Sequence, residues 1–271
     1  MIRTLRALSC GRLCDTERVI VDGRLHYRKT RVCPDGLIEL ANRGPLHFDL
    51  LPSASWSRWE ADFYARFYGR KVLILDDTSI LVPELPGRTL HDILSESPDA
   101  FSALKSTAFR SAVTALATLH AVDVRYPDGH HGPFAHADAT VRNVLFDIDS
   151  GTASWFDFET VYRRDIVAAD RRASDFRALL FSAAALVPRR YWADLVDQSR
   201  SAYGDDAIFE RVSALPRRSH FQSLFELTQF RLGARHRDEF ANIIRRTAAP
   251  QHLSAIAPDH TLVPSPFQGL G

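Results

Sequence analysis

A histidine, two aspartates and an asparagine, close together in the chain, are of types that could move a proton or hold a cation. In His136-Ala137-Asp138-Ala139-Thr140-Val141-Arg142-Asn143 an aspartate follows a histidine by two residues, and an asparagine follows that aspartate by five. Fourteen residues beyond Asn143, an apolar run reaches Asp157 in Trp155-Phe156-Asp157-Phe158-Glu159. Moving a phosphoryl group needs a carboxylate to orient the acceptor hydroxyl, cations to neutralise phosphate oxygens, and ligands for those cations. Asp138 is the candidate carboxylate. Asn143 offers magnesium a neutral oxygen and Asp157 a charged one, and this ion usually takes only one or two protein oxygens.

The elements around these residues must present them. Arg18 to Val21, the turn Asp22-Gly23 and Arg24 to Arg31 predict a hairpin, because Asp-Gly suits the positive φ of a tight turn. Cys33 to Pro52 reads as a loop punctuated by Pro-Asp-Gly and Arg-Gly-Pro. Ser53 or Ser55 is placed to cap a helix reaching about Tyr68, with Trp56, Trp59, Phe63 and Phe67 on one face, Glu60 at its border and Gly69 at its end. Short strands follow at Val72 to Leu75 and Ile80 to Leu85. Pro83-Glu84-Leu85-Pro86-Gly87 then stops both periodic patterns.

Beyond that boundary helices are predicted at Thr89 to Ser97 and Phe101 to Val122, the latter with Leu104, Phe109, Val113, Leu116 and Leu119 inward. Asp123 to Ala135 reads as a loop entering the motif. Further helices are expected at Ser174 to Val187, Arg190 to Tyr203, Asp206 to Ala214 and His220 to about Thr247, before a proline-containing tail from Pro250. Strands first and helices after give an α+β arrangement in two parts, residues 1–84 and 85–271.

Composition agrees with a folded enzyme: 45% hydrophobic, 25% charged, and a net charge of +1 that does not favour nucleic acid as a partner. Of 34 basic residues only Lys29, Lys71 and Lys105 are lysines. Cys10, Cys14 and Cys33 lack zinc-site spacing and read as reduced thiols. The longest apolar run, Ala178 to Val187, is about half a membrane span. A soluble, cytoplasmic protein is expected, with peripheral membrane contact left open.

The order His-x-Asp-x-x-x-x-Asn, hairpin, apolar-Asp-Phe resembles the protein-kinase-like superfamily over roughly residues 18 to 187. The likeness is to its divergent aminoglycoside phosphotransferase, lipopolysaccharide kinase and atypical small kinase branches. The resemblance implies a two-lobed fold, with a small β-rich N-lobe carrying one helix and a larger helical C-lobe, and ATP and Mg2+ as cofactors. It implies that Lys29 grips phosphates while paired with Glu60, and that backbone around Glu84 and Leu85 holds the adenine. His136 would lie beneath the loop, Asp175 would brace it from a helix start, and His120 reads as a satisfied core histidine.

The chain departs from the family at four places. No G-x-G-x-x-G lies in the first hairpin, where Gly11 (in Cys10-Gly11-Arg12) and Gly23 are the only glycines, and Glu159 stands where a glycine usual follows Asp-Phe. Only seventeen residues separate Asp157 from Asp175, with no Ala-Pro-Glu after them. Thr140 replaces the lysine of protein serine/threonine kinases, and Arg142 is a candidate to approach the transferred phosphate instead. These features favour a small-molecule, sugar or glycolipid hydroxyl acceptor over a peptide. Alternatives are an atypical protein serine/threonine kinase, a catalytically dead nucleotide-binding scaffold, and a metal-dependent hydrolase using His136, Asp138, Asp147 and Asp149. His130, His131 and the pairs Arg163-Arg164 and Arg171-Arg172 could touch an anionic substrate or form a solvated surface.

Overall fold

The structure, a computed structural model, describes residues 13–44, 47–97, 99–215 and 234–248. Among these residues it is a mixed α and β protein with eight α-helices and eleven strands in small antiparallel sheets. β1 (Cys14–Val21) and β2 (Arg24–Arg31) form the expected hairpin, and Asp22 and Gly23 both take positive φ, 50° and 73°. β4 (Leu73–Asp76) and β5 (Ser79–Pro83) complete a sheet of order β1-β2-β5-β4. Side chains alternate across β2, so Lys29 and Arg31 are buried on one face while Arg28 is exposed on the other.

The stretch read as a loop from Cys33 to Pro52 instead holds α1 (Asp35–Asn42) and β3 (Phe48–Leu50). Pro34 opens α1, and only Ile38 and Ala41 are buried on it, too few to register as a period in eight residues. α2 (Ser53–Tyr68) runs as expected and ends at Gly69 in the left-handed region, but no side chain of its own caps it. Asp35, two elements away in sequence, accepts from Ser53 N and Ser53 Oγ at 2.9 and 2.8 Å. Glu60, at the border of the aromatic face, is buried with it, at 1% exposed.

Gly87 (φ +113°) passes so close to β9 (Val144–Asp147) that a Cβ there would lie 2.5 Å from Phe146 O. That approach pairs β6 (Arg88–Thr89) with β9, and β9 with β10 (Thr152–Trp155), in one three-stranded sheet. Thr89 caps α3 (Leu90–Ser95) and Ser102 caps α4 (Ala103–His120), whose Leu104 is exposed rather than inward. The segment read as a loop before the motif pairs as β7 (Asp123–Arg125) and β8 (His131–Pro133). β11 (Thr160–Tyr162) pairs with β3.

α5 (Ala168–Ala184) begins six residues before the expected Ser174, so Asp175 lies about two turns inside the helix. α6 (Trp192–Tyr203) and α7 (Asp206–Ala214) match expectation, and α8 (Ala234–Ala248) covers the end of the last predicted helix. The start of that helix, the tail from Pro250 and Cys10 lie outside the described residues. One buried apolar cluster runs from Trp56 through Phe109, Trp155 and Phe176 to Phe240. Cys14 and Cys33 are free thiols, and no helix among the described residues is long and apolar enough to cross a membrane.

Candidate active site

The loop carrying Asp138 is held from below by Asp175, which is fully buried on α5. Its carboxylate accepts from His136 N (2.5 Å), Ala137 N (2.9 Å) and Tyr162 Oη (2.9 Å), and His120 Nε2 stands 3.1 Å away. Two converging backbone donors explain how Ala137, a non-glycine, is kept at φ +65°. His136 Nδ1 accepts from Asp138 N and its Nε2 lies 2.9 Å from Phe156 O, which fixes the neutral Nε2–H tautomer. Burial pushes this histidine below its ordinary pKa, in keeping with that form. His136 is therefore structural, as expected, and His120 is a satisfied core histidine bridging Asp175 and Tyr203.

Asn143 donates from Nδ2 to both Asp138 O and Asp138 Oδ2, each at 2.9 Å. Its amide protons are thereby spent, which leaves the amide oxygen as the atom available to a cation. Asp138 Oδ1 is shut off from solvent and has no hydrogen-bond partner among the described residues. Burial, and then the negative charge of Asp157, push the Asp138 carboxyl up to about 7 against the pull of Asn143.

Lys29 joins the sheet to the motif. Its Nζ donates to Glu60 Oε1 and Oε2 at 2.9 and 2.8 Å and to Asp157 Oδ1 at 2.8 Å, with Glu159 Oε1 at 3.7 Å. Trp56 Nε1 donates to Glu60 Oε2 at 2.7 Å. Burial disfavours the ammonium, but Asp157, Glu60 and Glu159 together outweigh it and hold Lys29 charged. Burial would also raise Asp157, yet Lys29 brings its carboxyl below the usual range. Asp157 sits at φ +71°, and Phe156 N, one residue before it, donates to Asn143 O at 3.0 Å.

Five of the expected residues thus fall into two linked sets, Lys29–Glu60–Asp157 and Asp138–Asn143. The other three are placed differently. Arg142 is exposed on the loop; Glu84 is exposed, with its backbone N donating to Leu25 O; and Leu85 is buried in the main core. Glu159, Arg31 and Trp56 belong to the site although sequence reasoning gave them no role there. Arg31 was signalled by its position two residues from Lys29 on one strand face.

The hydrolase ligand set does not assemble. Both His136 ring nitrogens are used, Nδ1 by Asp138 N and Nε2 by Phe156 O, and Asp147 accepts from Asp149 N and Ser150 Oγ in the β9–β10 turn. Among the described residues no group of three or more His, Cys, Asp or Glu side chains is arranged to hold a metal. One arginine of each pair serves as a brace: Arg163 donates to Asp49 and to Asn42 and Gly44 carbonyls, and Arg171 to Ile166 and Arg164 carbonyls. His130 stacks on Tyr126 with centroids 4.3 Å apart, beside Asp128 and Arg171.

Compared with known protein families and with curated proteins, the chain matches none of them. What the residues themselves present is a buried ammonium held by carboxylates, an amide oxygen without a hydrogen-bond partner among the described residues beside the Asp138 loop, and a carboxyl raised to about 7.

Proposed function

We propose that the protein is an ATP- and Mg2+-dependent phosphotransferase of kinase-like two-lobed build, with a nucleotide lobe to about residue 84 and a catalytic lobe beyond. Its acceptor is a hydroxyl on a small molecule, sugar or lipid-linked sugar. The observation that carries this reading is the Lys29–Glu60–Asp157 ion cluster together with Asp138, whose Oδ2 is held by Asn143 and whose Oδ1 is buried and unpartnered among the described residues. Asn143 and Asp157 fit Mg2+ as an amide and a carboxylate oxygen, with phosphate and water to complete its shell. Bound with ATP, that ion would neutralise charge on the phosphate oxygens.

The chain's own residues do the rest. Lys29, held by Glu60, binds phosphate oxygens. The Asp138 carboxylate orients the acceptor hydroxyl and takes its proton, a role matched by a carboxyl at about 7. Asn143 keeps Asp138 in place through Oδ2, and Asp175 keeps the loop backbone in place through His136 and Ala137. Positioning and charge neutralisation supply most of the rate in such transfers. Arg142, adjacent to Asn143, is the candidate to approach the transferred group, and backbone at Glu84 and Leu85 the candidate to receive adenine.

The tight Asp22–Gly23 turn, with no glycine-rich loop, favours a second reading: a non-catalytic nucleotide-binding or scaffold protein. ATP turnover by wild type and D157A over a panel of sugar, aminoglycoside and glycolipid hydroxyls separates the two. Turnover in wild type that is lost in D157A supports transfer; equal background rates in both refute it.

A further inference from the structure

The residue after Asp-Phe is a glutamate, and the structure gives it a definite place. Glu159 Oε1 stands 3.7 Å from Lys29 Nζ and its Oε2 3.4 Å from Arg31 Nη1. Arg31 Nη2 donates to Leu51 O at 2.7 Å, and Leu51 N donates to Glu159 O at 3.0 Å. The three residues close a ring that ties β2, the entry to α2 and the segment after Asp157 together. Arg31 lies over the Trp56 ring at 4.9 Å, so the anchor of the ring packs on the same tryptophan that holds Glu60. A fully buried guanidinium with one carboxylate and one carbonyl is a fixed post rather than a solvated charge.

The consequence concerns Lys29. Its ammonium depends on Asp157 for its second close ion pair, and Asp157 is the residue assigned above to a cation. We propose that Glu159, anchored by Arg31, is a positioning residue for Lys29 that takes over this ion pair when the Asp157 charge is engaged elsewhere. The inference rests on the phosphotransferase reading for its purpose, but not for its geometry. Glu159 Oε1 needs to approach by less than an ångström to reach the distance Asp157 Oδ1 now has. A glycine at this position could not hold Lys29, and it would free the backbone to rotate. With Glu159 the segment after Asp157 is tied to β2 through Arg31 and to the entry of α2 through Leu51.

Only three lysines occur in the chain, so 15N-lysine labelling gives at most three ammonium signals, assigned with K29R and K71R. The measurement compares the Lys29 signal in wild type, D157N and D157N/E159Q full-length protein, where D157N removes the Asp157 charge without any nucleotide. The expected result is a Lys29 ammonium still protected in D157N, and exchanging with water several-fold faster, at a shifted resonance, in D157N/E159Q. An unchanged Lys29 signal between D157N and D157N/E159Q overturns the proposal. If the double variant does not fold, D157N alone carries the test: Lys29 protection kept there is the expected result, and protection lost there overturns the proposal. A separate arm adds Mg2+ with a non-hydrolysable ATP analogue to wild type. No response of Lys29 there, with the D157N comparison as expected, refutes the phosphotransferase reading and leaves the Glu159 role standing.

Discussion

Replacing Asp138 with asparagine should abolish transfer and yet strengthen the fold above neutral pH. The folded carboxyl titrates at about 7, whereas an aspartate in the unfolded chain titrates at about 4. Between those values the folded protein holds a proton that the unfolded chain has released. Stability therefore falls as pH rises from about 4 to about 7, and levels off above. Raising a carboxyl from about 4 to about 7 corresponds to a ceiling of about 4 kcal/mol. D138N escapes that loss, but its amide places an N–H where Oδ1 has no partner among the described residues, a cost of about 1–3 kcal/mol.

The net expectation is that D138N is more stable than wild type by about 1–3 kcal/mol at pH 8 and less stable than wild type near pH 4. Urea unfolding of both proteins at pH 4, 5, 6, 7 and 8 measures it through the stability difference at each pH. A difference that is flat across this range, or that moves against the variant as pH rises, refutes the assignment of Asp138 as a buried, unpaired carboxylate.

K29M leaves buried Glu60 and half-buried Asp157 without their shared cation and should cost about 3–5 kcal/mol in urea unfolding, most of it from Glu60; a cost under about 1 kcal/mol contradicts the ion cluster. G87A meets Phe146 O at 2.5 Å in a left-handed conformation and should lower the melting temperature, at a cost of about 1–3 kcal/mol; an unchanged melting temperature contradicts the close β6–β9 approach. Lys105 is caged by the carbonyls of Leu94, Ser97 and Ala100 at 2.9–3.1 Å, a geometry for a compact ammonium, so K105R should destabilise by about 1–3 kcal/mol in thermal unfolding. Wild-type stability in K105R would show that the cage tolerates a planar fork.

Local signals made part of this arrangement legible. Asp22-Gly23 set the β1–β2 turn because few other pairs accept two positive φ values, and the aromatic spacing of Trp56, Trp59 and Phe63 set α2. Lys29 was singled out by its place on a predicted strand and the family resemblance, with only three lysines among 34 basic residues to weigh, and both Lys29 and Lys105 occupy buried cages that a guanidinium would not fill in the same way. Asp138 and Asn143 were legible because their contact closes over five residues of chain.

What was missed is carried by contacts between distant segments. Glu159 meets Arg31 across 128 residues, and nothing in either local sequence marks the partner. α1 and β3 were hidden because Pro34, Gly36 and Gly44 read as punctuation, while the packing of Ile38 against Phe48 and Tyr162 is what stabilises them. Asp175 was recognised as the brace but misplaced in its helix. Its partners His136, Ala137 and Tyr162, rather than a capping role, decide its position.

The most direct test of the central claim is to incubate a cell extract with ATP labelled by 18O in the γ-phosphoryl group and follow metabolites and glycolipids by mass spectrometry. Wild-type protein is expected to add one labelled phosphoryl group to a hydroxyl compound, and folded D138N to add none. Labelled product at equal rates with both proteins, or with neither, would contradict the account.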